Sequence, residues 1–156
     1  SQALTTFIGQ NLGAKEYDRT KKGALFGTIC GIGIAEVIGI AVFFFSPYLI
    51  AAFGGDQKAI EYGIAEAHTI ALFYCLLAFS HCMAAIQRGA GRSIVPMFVM
   101  MLVWCGVRVT YISIVIRIIP VINVIYWAYP LTWFISSVIF LILFLKTDWI
   151  HGLEKQ

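Results

Sequence analysis

Four long, mostly apolar stretches, residues 24–46, 64–86, 94–116 and 124–145, decide what this chain can fold into. A bilayer's hydrocarbon core takes roughly 20 helical residues, and each stretch reaches that length. None alternates with period two, so the stretches read as helices rather than strands. A soluble domain carries about a quarter charged residues, whereas this chain of 156 residues is 12% charged and 60% hydrophobic. The expected class is an all-α integral membrane protein, a polytopic helical bundle. Residues 1–14 are apolar but too short to cross, and they read as the end of a fifth span. The chain opens with Ser1 partway along that segment, so it reads as a piece of a longer protein.

Charge is concentrated rather than spread. Six of the nineteen charged residues fall between Lys15 and Lys22. The segments 15–22, 87–93 and 146–156 hold eight of the eleven Lys and Arg, while the intervening loops hold only Lys58 and Arg117. By the positive-inside rule the turn at 15–22 and the C-terminus are expected on the cytoplasmic side. Pro47 is expected to close the first span and "FGGD" (53–56) to form a turn. Asn123 is a candidate cap for the last span. Tyr126, Trp127, Tyr129 and Trp133 at one end of that span, with Trp149 beyond the other, look like interfacial anchors.

Two charges lie deep in the expected spans. Glu36 is about 18 Å along the first and Arg108 about 21 Å along the third, at similar depth because both run outward. Intramembrane charge is costly and points to a functional site or a paired charge. Gly33 and Gly39 flank Glu36, and the two charged side chains are expected to face the bundle interior. Mutual pairing, or binding of a proton or cation by Glu36, are the open alternatives. Gly23, Gly27, Gly31, Ala35 and Gly39 recur every four residues, which reads as a close-packing seam. His81, with Ser80 and Cys82, forms a candidate polar patch for helix–helix hydrogen bonding, with proton relay along a substrate or cation pathway as the alternative. His68 and Glu66 are expected to reach water near the end of the second span. The four cysteines, Cys30, Cys75, Cys82 and Cys105, lie in apolar stretches without metal-ligand spacing. No phosphate loop, HExxH or GxSxG is present, so no enzyme, resident cofactor or nucleic-acid partner is expected.

The segment "FIGQNLGAKEYDRTKKG" (7–23) resembles a turn of the multidrug and toxic compound extrusion (MATE) family. "QRGAG" (87–91), "VRVTY" (107–111) and "WAYPLTW" (127–133) follow in the family's order. The resemblance assigns Gly9, Gln10, Gly13, Arg88 and Gly89 to family motif positions. It places 1–156 as part of the second of two six-helix lobes, from the end of helix 8 to helix 12. It implies a multi-pass cell-membrane antiporter that exports organic, often cationic, compounds in exchange for Na⁺ or H⁺ by alternating access. Its expected partners are the first lobe, membrane lipid and small organic substrates.

Some family branches place a cation-binding carboxylate eleven residues before the Arg corresponding to Arg88. Leu77 stands there, so coupling is expected to rest on the first lobe or on Glu36. Tyr74, Phe73, Trp104 and Arg108 are the candidate substrate wall, because aromatic faces suit cationic ligands. A lipid-linked precursor flippase of the same superfamily and a non-transporting membrane scaffold are the alternatives. The flippase calls for a more cationic cavity than Arg108 supplies.

Overall fold

The charged turn is mostly helix. In the computed structural model of the chain, which describes residues 1–150, α1 (Gln2–Gly13) ends and α2 (Tyr17–Ala52) begins within three residues. Lys15 sits at φ 60°, and the N–H groups of Lys15 and Glu16 donate to the carbonyls of Leu12 and Asn11. This is a Schellman cap, which satisfies carbonyls that the helix end would otherwise leave bare. Gly9 lies inside α1, and Tyr17 to Lys22, expected to be part of a turn, is the opening of α2. Asp18 in that first turn suits the positive end of the helix dipole.

At 36 residues α2 is about 54 Å long, far beyond the hydrocarbon thickness. It runs through Pro47 instead of stopping there. Proline removes the N–H that would reach the carbonyl of Phe43, and the buried Ser46 hydroxyl donates to that same carbonyl at 3.2 Å. The side chain thus supplies the donor that the ring deletes. Along the seam, Gly23 and Gly27 face Phe7 and Leu4 of α1, and Gly31 faces Cys82.

Gly54 and Gly55 adopt positive φ and turn the chain. Asp56 then caps α3 (Gln57–Ala71), accepting the Ala59 N–H at 2.7 Å. The stretch read as one span over 64–86 is two helices. α3 and α4 (Tyr74–Gly89) meet at a break of two residues with a bend of 58°. α4 closes with a second Schellman cap, in which Gly91 at φ 79° plays the part of Lys15.

α5 (Ile94–Met100), a π-helical segment (Met101–Val107) and α6 (Arg108–Ile118) form one continuous rod. In α7 (Asn123–Lys146) the N-cap position falls on Ile122, and Asn123 is the first helical residue. α2, the α5–α6 rod and α7 are each long and apolar enough to cross a membrane, as is the bent α3–α4 pair taken together. α4 lies at the centre, packed by α1, α2 and α7. Its C-terminal half is almost wholly buried, from Cys82 through Gln87. The outer faces of α2, α6 and α7 carry exposed Phe, Ile, Leu and Val, as contact with lipid requires. Trp149 is not an interfacial anchor: it is buried in the core cluster with Ile8, Leu12, Met83 and Phe140. The tail residues 151–156, with Lys155, lie outside the described residues.

Candidate functional site

Glu36 is half-buried on the face of α2 that meets the break between α3 and α4. Its carboxylate accepts the backbone N–H of Cys75 at 3.2 Å. Cys75 is the second residue of α4, so this N–H is one that no carbonyl of α4 itself can satisfy. One turn along α2, Gly39 meets the break from its other side. A Cβ there would collide with the Ala71 carbonyl, the last residue of α3. A side chain that accepts and a residue that yields space, three positions apart, thus hold the bend together. Carboxylate bonds to helix N-terminal N–H groups are charge-assisted and also favoured by the helix dipole.

Arg108 does not pair with Glu36. Its Nη2 donates to Thr132 Oγ1 at 2.7 Å, and Thr132 passes its own proton back to the Ala128 carbonyl at 2.9 Å. The guanidinium lies over the Tyr129 ring at 4.2 Å and over Trp104 at 5.8 Å. Aromatic faces are electron-rich and hold such a cation. Arg108 Nε is buried without a hydrogen-bond partner. Tyr129 and Trp133 stand edge to face at 6.2 Å, and Tyr74 approaches Trp133 at 6.0 Å. Phe73, in the break itself, meets Trp127 at 5.9 Å. An aromatic wall therefore runs from the break to Arg108. Two supposed interfacial anchors, Trp133 and Tyr126, are buried because positions 126, 129 and 133 share the inward face of α7.

Ser80, His81 and Cys82 do not form one patch, because successive helical residues point in different directions. Ser80 lies 2.9 Å from both Ser136 and Ser137 of α7, and these donate to the carbonyls of Trp133 and Leu76. Cys82 faces Gly31. His81 stands edge-on to Trp104 at 5.4 Å, and the Trp104 indole N–H points to Ser136 at 3.4 Å. Trp104 occupies the π-helical segment, a distortion frequent at functional sites. His68 stacks on Phe43 at 4.4 Å and stays partly exposed. The serine pair on α7 is a polar hub absent from the sequence reading. Its adjacent Ser residues in an otherwise apolar span were the available signal.

The family-motif residues build a helix crossing. Gly9 and Gly89 lie at the α1–α4 contact, where a Cβ on Gly89 would stand 2.7 Å from the Thr5 carbonyl oxygen. Thr5 Oγ1 donates to the Ala85 carbonyl at 3.2 Å across the same crossing. Gln10 is exposed, and its neighbour Asn11 is the buried amide, donating to the Phe7 carbonyl at 2.7 Å. Gly13 ends α1, and Arg88 is half-buried in the last turn of α4. Leu77 is a half-buried apolar residue of α4 and offers no ligand atom.

Comparison with known proteins agrees with these motifs. The MatE family matches residues 1–112. A relative, the probable multidrug resistance protein NorM of Thermotoga maritima, is 29% identical over 99 residues. That match covers 64% of this chain but only 21% of the relative's length. Helices able to cross a membrane, glycines at the crossing of α1 and α4, and a family match over most of the chain lead to one assignment: the chain belongs to the MATE family.

Proposed function

We propose that this chain is part of the second lobe of a cation-coupled exporter of organic, often cationic, compounds, with the α3–α4 break as its moving element. The observation that carries this reading is the Glu36 carboxylate bonded to the Cys75 N–H. A proton on Glu36, or a Na⁺ drawing on its oxygens, weakens that bond and releases the first turn of α4. The bend then changes, and with it the position of Phe73 and Tyr74, which sit at the break. Those two rings, with Trp104 and His81, form the wall facing the substrate. Arg108 repels a cationic drug less than a bare guanidinium would, because Tyr129 and Thr132 already engage it. The multidrug resistance named for the relative fits this substrate class. In this reading, the charged turn and the C-terminus face the cytoplasm of a cell membrane, the first lobe completes the pathway, and no catalysis is involved.

The test is dye efflux from vesicles containing the full-length protein, under an imposed Na⁺ or H⁺ gradient. One gradient is expected to drive efflux, and Glu36→Gln to reduce the driven rate at least about tenfold, the size of a lost charge-assisted bond. Undiminished driven efflux in Glu36→Gln would remove Glu36 from the coupling step.

A further inference from the structure

We propose that the bundle carries a binding site for one anionic phospholipid, with an acyl chain held between α2 and α7 and the phosphate met by Lys21. α2 and α7 both pack on α4 but are not packed against each other, and the gap between them is a cavity of about 430 Å³. Its walls are Ala24 and Leu25 from α2, Phe79 and Met83 from α4, and Leu141 from α7, with Trp149 among the residues that follow α7. These surfaces are predominantly apolar. Thr28, which also lines the space, spends its hydroxyl proton on the Ala24 carbonyl at 2.8 Å, so it leaves no donor to attract water. Trp149 stacks on Phe144 at 5.2 Å, and both line the cavity.

The cavity opens on the outer face of the bundle. Leu25 is 64% exposed and Leu141 45% exposed, although both line it. α1 lies on the other flank of α2, against Gly23 and Gly27, so it does not fill this gap. Lys21 is the charged lining residue, exposed and placed in the second turn of α2. Lys22 follows it directly, and Lys146 ends α7. An occupant must therefore offer a long apolar chain along the walls and an anion at the end bearing the lysines. A leaflet phospholipid with a net negative head has both, and each basic residue near such a surface favours it about fivefold.

The experiment uses the full-length protein with photoreactive p-benzoylphenylalanine replacing Leu141, in vesicles of phosphatidylglycerol and phosphatidylcholine. Irradiation is expected to give lipid adducts that favour phosphatidylglycerol at least about fivefold, with Lys21→Ala lowering the preference about fivefold. The same photoreactive residue at Ile34, exposed on α2 away from the cavity, is expected to show no preference. Leu25→Trp, at the exposed mouth, is expected to lower both adducts without changing helical content. Equal labelling of the two lipids at Leu141, or adducts to polypeptide instead of lipid, would overturn the proposal.

Discussion

Lys15 adopts a backbone conformation that L side chains rarely hold, at φ 60°. Gly91 fills the equivalent place in the second Schellman cap at φ 79°. The two ends echo one another in sequence, Gly13-Ala14-Lys15 against Gly89-Ala90-Gly91. A non-glycine residue there is strained by roughly 1 kcal/mol. Lys15→Gly is therefore expected to raise stability by about 1 kcal/mol and Gly91→Ala to lower it by a similar amount, read as opposite shifts of the melting temperature in detergent. Gly89 answers to a different constraint, because an added Cβ would press on both the Thr5 carbonyl and Ile8. Backbone cannot give way as a flexible side chain does. Gly89→Ala is expected to cost about 1–3 kcal/mol, checked by the same melt. At this scale, the glycines of the family motifs were legible in the sequence. The strain at Lys15 was not, because nothing in a lysine's identity announces a left-handed backbone.

At the scale of elements, the clearest case is the length of α2 and the way it passes Pro47. Sequence reading ends a helix at proline, since the ring deletes a donor and crowds the preceding turn. Here Ser46 satisfies the orphaned Phe43 carbonyl, and the helix continues to Ala52. Ser46→Ala is expected to destabilise by about 1 kcal/mol and to loosen the helix beyond Pro47, seen as faster amide exchange over residues 48–52. The break after Ala71 is the opposite case. "HTIALFYCLL" contains neither proline nor glycine, so local sequence reads as one continuous helix. The bend is instead imposed from α2, through the acceptor at Glu36 and the space at Gly39. Such a feature depends on a contact 39 residues away, and no local periodicity encodes it. Gly39→Val should be worse tolerated than Gly33→Val, because a Cβ at Gly33 meets open space. Expression and melting of the two variants compare them directly.

For the whole molecule, the membrane class and the helical stretches were readable from length and hydropathy alone, because bilayer thickness fixes the count of apolar residues. The partner of each buried polar group was not readable. Glu36 and Arg108 are expected at similar depth, yet they serve different neighbours: one a helix end, the other a hydroxyl and an aromatic ring. Similar depth is necessary for pairing, but it says nothing of which way two helices turn their faces. The fold thus places Glu36 and Arg108 in separate roles, with Arg108 held against α7 and Glu36 meeting the bent α3–α4 pair. That division is the central claim: the bend is met by one carboxylate of α2 and not by a pair of opposite charges. The direct measurement is amide hydrogen exchange over residues 72–77 in the full-length protein in bilayers, with Glu36 intact and with Glu36→Ala. Loss of the carboxylate is expected to speed exchange at Cys75 at least about tenfold, while the C-terminal turns of α4 stay protected. Equal exchange at Cys75 in the two proteins would contradict the account.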